Sequence, residues 1–411
     1  MRILLSDGSG LTARQAAGRL ATTGHEVEVL TPDPLALTRF TRSVRRLHRV
    51  PPYGADPLAW LDAALSVWAT GRFDLLLPTQ EQVAVLAACA DRLAASRVST
   101  VVPDFAALAA LQDKVSAHRT LDRLGLPQPP TAVVRDVDGL RAWDRFPAYV
   151  KLPIGTASRG VVRVGDAAGA RQLADELDAD GAFGHGGVVV QVALDGPLVM
   201  VQSVFDHGRL VASHANLRVR EGAGGGASHK ESVDLPEVRD HLVTLGVDLA
   251  WHGALSMDAI LVDGRPRYID VNPRLVEPGN ALRSGVDLVG PLVELALGGA
   301  PPAQHPGVPG VRTHQALLAL LGAAGRRRPR RAVLGEVAAV VRRDGDYRGS
   351  VEELTPVRGD LRAVLPSTVA VAAMLVHPPW WRSFASNATT NYALSPDGWQ
   401  ALLALRDDRR G

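Results

Sequence analysis

Short apolar runs alternating with amphipathic stretches fill the first hundred residues, and this rhythm constrains the fold more than any single motif. "RILLS", "EVEVL", "FDLLLP" and "STVVP" predict strands; "TARQAAGRLATTG", "DPLAWLDAALSVWATG" and "EQVAVLAACADRLAA" predict helices between them. Strands separated by helical crossovers pair in parallel and are covered on their faces. Ligands of such sheets sit beyond the carboxyl ends of the strands, so the loops "SDGSG", "TPDP" and "PTQE" are expected to face one crevice. In the last of these, Thr79 and Glu81 are candidate substrate contacts, Glu81 toward an amine. A helix cap with a first-turn acid explains the same two residues equally well.

The pattern changes near residue 104, where "LQDK" opens a helix that stops at Gly125. Strands, hairpins and glycine-rich loops follow from 131 to about 275, then a Pro/Gly linker at 297 to 310, helices, and an aromatic tail. The expected division is an α/β domain at 1–103, a second region at 104–298, and an extension at 299–411. At 411 residues, 46% hydrophobic and 21% charged, the chain can bury several cores, and a net charge of +2 points to no nucleic-acid partner. The run "GRRRPRRAV" reads as a solvated linker. Cys89, the single cysteine, rules out a disulfide framework and fits a reducing compartment. "MRILLSDGSG" shows no signal-peptide pattern, and the run 363–381 is interrupted by Pro366, Pro378 and Pro379 before it could span a bilayer. A cytoplasmic protein with no membrane span is therefore expected.

"GSGLTA" carries the letters of a dinucleotide fingerprint, which would suggest a nicotinamide-dependent enzyme. Asp7 precedes its first glycine, where a carboxylate repels a pyrophosphate, and "EVEVLT" ends without the ribose acid. A plain strand-to-helix turn is the better reading.

Among 45 Lys and Arg residues only Lys114, Lys151 and Lys230 are lysine. In a chain that writes nearly every cation as arginine, these three are either chance survivors or sites that need a compact ammonium. Lys151 ends a strand in "YVKLPIGTASRGVVRV", followed by Gly155, Thr156, Ser158 and Gly160. Glycines there let backbone N–H groups approach phosphate oxygens, and the hydroxyls add donors. Farther on, "SMDAILV" and "PRYIDVN", joined by "DGR", set Asp258 and Asp270 on neighbouring strands with Asn272 on the same face. Two carboxylates and a carboxamide are hard oxygen donors suited to Mg²⁺.

"LQDK", "VKLPIGTASRG" and "MDAILVDG…YIDVNPR" together resemble, in order and spacing over residues 1 to 300, the ATP-grasp superfamily of carboxylate–amine ligases. The resemblance implies a mixed α/β and α+β architecture: an N-terminal parallel-sheet domain, a small lid at about 130–195, a central antiparallel ATP-binding subdomain, and here a C-terminal extension. It implies ATP gripped between two sheets, with Lys114 and Lys151 on its phosphates. It implies Mg²⁺, with Mn²⁺ as a substitute, on Asp258, Asp270 and Asn272, and Arg274 beside the transferring phosphoryl group. By the same resemblance, "REGAGGGASHKESV" is a mobile loop carrying Lys230 over the γ-phosphate, with Arg220 and His229 as weaker candidates. The hinge is "VVVQVALDGPLVMV": backbone groups of Gln191, Val192 and Ala193 would hold adenine, and Asp195 the ribose. Relatives usually carry Glu at the positions of Asp270 and Val192 and an acid at that of Leu198. Glu277, Asn280 and Arg283 follow the metal strand as substrate candidates, Arg283 for a carboxylate. The implied activity joins a carboxylic acid, activated as an acyl phosphate, to an amine. Alternatives are a bicarbonate-activating carboxylase or carbamoyl-phosphate-type enzyme, or a non-catalytic ATP-binding regulator. Trp380, Trp381, Phe384 and Tyr392 suit packing against the body of the protein or a homodimer partner, and the extension could roof the acceptor pocket.

Overall fold

The computed structural model describes residues 1–156, 159–354 and 359–407. The apolar runs become β1 (Arg2–Leu5), β2 (Glu26–Thr31) and β4 (Leu75–Leu77), with β3 (Val44–Arg49) on the edge in the order β3-β2-β1-β4. All pairs are parallel. β3 was not legible because "VRRLHR" alternates charge with bulk, as an edge strand tolerates. "STVVP" was expected as a strand and is not one; there the Leu76 N–H donates to the Ser99 carbonyl at 2.9 Å. The helix Pro57–Gly71 starts with proline in its first turn, is capped by Asp56 accepting from the Ala59 N–H at 2.9 Å, and stops where Arg72 turns left-handed.

A second sheet holds β5 (Thr131–Val134), β6 (Ala148–Lys151), β7 (Val161–Val164) and β8 (Val188–Val192) in the order β5-β8-β6-β7, antiparallel throughout. Its inner face packs a separate small core around Val150, Val190, Leu140 and Ala174. The third sheet has seven strands: β9 (Leu198–Asp206), β10 (Arg209–Glu221), β11 (Ala227–Val233), β12 (Gly253–Val262), β13 (Arg265–Asn272), β14 (Arg312–His314) and β15 (Val351–Glu352). Their order is β13-β12-β9-β10-β11-β14-β15.

The stretch from 299, expected as a C-terminal extension, joins the central sheet. Strands β14 and β15 complete the central sheet beside β11. The helices Ala316–Ala324, Pro329–Arg342 and Leu365–Val376 enclose their own apolar cluster with Ala223. The last helix, Pro396–Asp407, returns to the first domain, where Trp399 packs on Phe105 with ring centroids 5.7 Å apart. Among the described residues no helix is long and apolar enough to cross a membrane.

Candidate active site

Asp263 and Gly264 both take left-handed conformations (φ 50° and 77°), forming the two-residue turn that joins β12 to β13. The turn sets the register: Asp258 faces Asp270 and Ser256 faces Asn272, with a bulge just after Asp258. Burial, and then the neighbouring Asp270, push the Asp258 carboxyl up to about 7, although Arg274, Arg218 and Lys151 oppose the shift. Two facing carboxylates, one strongly desolvated, fit a hard divalent cation, whose charge would offset their repulsion.

Asp113 caps the helix Lys114–Arg123 through the Ser116 N–H at 2.8 Å, which fixes Lys114 at the helix start. The Lys114 ammonium donates to the Gly155 carbonyl at 2.7 Å and lies 3.8 Å from Asp270. Lys151, at the end of β6, reaches across from the lid sheet to the Ile269 carbonyl at 2.5 Å and to Gln191 Oε1 at 2.8 Å. Its burial lowers the ammonium pKa to about 8, with Asp270 pulling the other way. The enclosed space beside the two lysines is only about 20 Å³, room for one water. A guanidinium does not fit that slot, so Lys151→Arg is expected to raise the KM for ATP on the order of tenfold or more despite its retained charge. Steady-state kinetics at saturating second substrate checks this; wild-type values would refute the slot argument.

Arg274 links the two sheets. Its Nη2 donates to Thr156 Oγ1 at 3.1 Å and to Asn272 Oδ1 at 3.4 Å. Thr156 is buried, and Gly155 is needed where it stands, since a Cβ there would meet the Arg159 carbonyl at 2.3 Å. Gly160 closes the hairpin at φ 72°. Ser158 lies outside the described residues.

At the hinge, Gln191 holds Lys151 through its oxygen and Thr131 through its amide at 3.0 Å. The N–H groups of Val192 and Ala193 donate to the carbonyls of Pro130 and Pro147, at 2.9 and 2.8 Å. Both N–H groups are thus engaged within the fold. Asp195 is exposed on the following turn.

Lys230 does not ride a mobile loop. It sits on β11, 1% exposed, with its ammonium donating to Glu277 at 2.6 Å and Glu353 at 2.9 Å. Burial opposes the charge, but these two carboxylates hold its pKa above the ordinary lysine value. Only the turn 222–226 of the glycine-rich stretch is irregular. Arg220 and His229 are likewise built into the fold, Arg220 pairing with Glu336 and stacking its guanidinium on Tyr347. Asn280 is fully buried and bonds His214 and Thr313, which makes it a fixture of the sheet. Arg283 ends a short helix and faces a separate groove with Arg14 and Asp360, which none of the three lysines lines. Thr79 is buried, its N–H donating to Ser6 Oγ. Glu81 accepts the Leu394 N–H at 2.6 Å, so the tail occupies the carboxylate expected to meet an amine.

The sequence matches no protein-family model and no curated protein. Among solved structures, the chain is similar to the biotin carboxylase complex from Campylobacter jejuni, at 18% identity and a TM-score of 0.60 over 76% of this chain and 74% of that one. It is similar to an L-amino acid ligase from Bacillus licheniformis, at 17% and 0.54 over 73% and 75%. An ADP complex of N5-carboxyaminoimidazole ribonucleotide synthetase aligns at 15% and 0.58 over 80% and 85%. The chain has the ATP-grasp fold.

In the first-strand loop, the N–H groups that the dinucleotide reading would turn to a pyrophosphate meet a carboxylate of the chain. Asp7 fills the loop, accepting the N–H groups of Ser9 and Gly10 at 2.9 and 2.8 Å, and burial raises its carboxyl to about 6. Three residues near the cleft were missed. Arg218 on β10 acts electrostatically on Asp258, and nothing in its local sequence signals this. Arg159 was inside the quoted "TASRG" motif. Tyr392, expected only as a packing aromatic of the tail, has a phenol that feels the charge of Arg274.

Proposed function

We propose that this chain is an ADP-forming carbon–nitrogen ligase that uses ATP and Mg²⁺ to activate a carboxylic acid as an acyl phosphate and joins it to an amine. The observation that carries the reading is the convergence of Lys114, Lys151, Asp258, Asp270, Asn272 and Arg274, drawn from three separate segments, on one cleft between the lid and central sheets. Solved relatives of this fold bound to ADP or named as amino acid ligases support it.

In this reading Lys114 and Lys151 bind and orient the polyphosphate, while lid closure excludes water. A bound Mg²⁺ on Asp258, Asp270 and Asn272 supplies charge neutralisation at the phosphates. The substrate carboxylate oxygen attacks the γ-phosphorus, the bond to the β,γ-bridging oxygen breaks, and ADP departs. Arg274 stabilises the equatorial oxygens. The amine nitrogen then attacks the acyl carbon, the carbon–oxygen bond to phosphate breaks, and the nitrogen loses a proton to leave the amide. Lys230 acts on no phosphate; it holds Glu277 in place.

Positional-isotope scrambling of ATP from the β,γ-bridge to non-bridge positions, with a panel of carboxylates and no amine, tests this. Scrambling that depends on one acid is expected. Scrambling with bicarbonate alone would favour the carboxylase reading, and none with any acid alongside tight ATP binding would favour a regulator.

A further inference from the structure

The largest volume among the described cavities is about 730 Å³, and it is not the nucleotide cleft. It lies beyond the carboxyl ends of β1 and β2, bounded by Ser9 and Gly10 on one side and by Asp33 and Leu35 on the other. Ligands of open parallel sheets occupy this position. The turn 223–226 forms another wall, where Gly224 and Gly226 leave space that side chains would fill. The roof comes from the tail: Leu318 and Leu321, Val369, and Trp381 and Phe384.

Two independent sets of contacts tie this cavity to the proposed reaction centre. Arg159, on the same hairpin loop as the Thr156 that Arg274 contacts, donates to Thr390 Oγ1 at 3.0 Å. Asn391 donates to Ser9 Oγ at 3.0 Å, and the next residue, Tyr392, lines the cavity. Glu277, three residues past Arg274, also faces in; its backbone is left-handed (φ 35°), a strained state for glutamate that Lys230 and Gln315 hold from behind. The polar groups gather at this end, and the rest of the wall is aliphatic and aromatic. At the mouth Leu35, Leu365 and Val369 stay 67%, 48% and 50% exposed.

From these observations we infer that the cavity takes the apolar body, aryl or branched or straight alkyl, of one ligation substrate, its reacting group lying at the Glu277–Tyr392 end. The inference rests on the ligase reading. Pockets of about 300–1,000 Å³ enclose drug-sized ligands, so bicarbonate, glycine or a small polar acid would leave most of this one unfilled. The tail is thus the specificity element of the enzyme.

The test is calorimetric titration of the full chain with 3-phenylpropionate and decanoate, with 2-phenylethylamine and decylamine, and with acetate and methylamine as short homologues. Each buried methylene is worth about fourfold in Kd, so burial of roughly three or four of them makes the apolar member of the correct pair bind on the order of 100-fold tighter than its homologue or more. Tighter acids identify the apolar substrate as the acid, and tighter amines as the amine. Val369→Trp, at an exposed mouth position, should weaken that binding on the order of tenfold; Leu365→Glu serves as a second variant should the first fold poorly. Equal binding of long and short homologues, or no effect of either folded variant, overturns the inference. The isotope experiment reads the parent proposal separately: scrambling only with small polar acids, with the long amines bound no tighter than methylamine, sinks this inference and leaves the ligase, whereas apolar binding without scrambling by any acid supports the cavity assignment and sinks the ligase.

Discussion

Lys230→Met is expected to lower the free energy of unfolding by about 3–5 kcal/mol, the range found when one partner of a buried ion pair is removed. The substitution keeps the volume of the stem but leaves Glu277 and Glu353 facing each other in a site where the lysine is 1% exposed. Urea denaturation checks it. Adding Glu353→Gln should return part of the loss, because one of the two stranded charges is then gone. A phosphate-binding loop lysine would behave in the opposite way, with stability near wild type and a raised KM for ATP. That outcome would remove the positioning role given to Lys230.

Asp270→Asn is expected to abolish turnover, by on the order of 10³-fold or more, since the metal supplies several kcal/mol of charge stabilisation. It should leave the fold intact. In chelator the variant carries a second signature. Burial and Asp270 raise the Asp258 carboxyl from 3.8 to about 7. Between those values the folded state keeps a proton that the unfolded chain has lost, so stability falls as pH rises through the window. Removing Asp270 lowers the folded-state value and makes that decline shallower. Thermal midpoints at several pH values in EDTA measure this, and an unchanged slope would show that the two carboxylates do not interact.

The sequence made local features legible and left long-range pairing hidden. The Asp263–Gly264 turn and the alternation through "SMDAILV" and "PRYIDVN" put Asp258 opposite Asp270, while the rarity of lysine together with the motif resemblance singled out Lys114 and Lys151. Each signal lies within a few residues of its neighbour. What failed depends on partners far along the chain: Lys230 looked free in a glycine-rich stretch because Glu353 lies 123 residues away. Glu81 looked available because the Leu394 N–H that claims it lies 313 residues on. The N–H groups of Val192 and Ala193 were lost to Pro130 and Pro147, which periodicity does not reveal. Arg283 was placed by its nearness to the metal strand, but its helix carries it to another groove. Strand β3 was missed and "STVVP" overread because edge pairing depends on neighbours and not on apolar content.

The path of the final helix bears on how the protein is made. Trp399 and Leu402 belong to the same apolar cluster as Trp60, Leu86 and Phe105, so the layer built around those earlier residues lacks part of its lining until the helix Pro396–Asp407 has been synthesised. The nascent amino-terminal half would emerge from the ribosome with a bare seam, open to chaperones, and that helix would shut it when it follows.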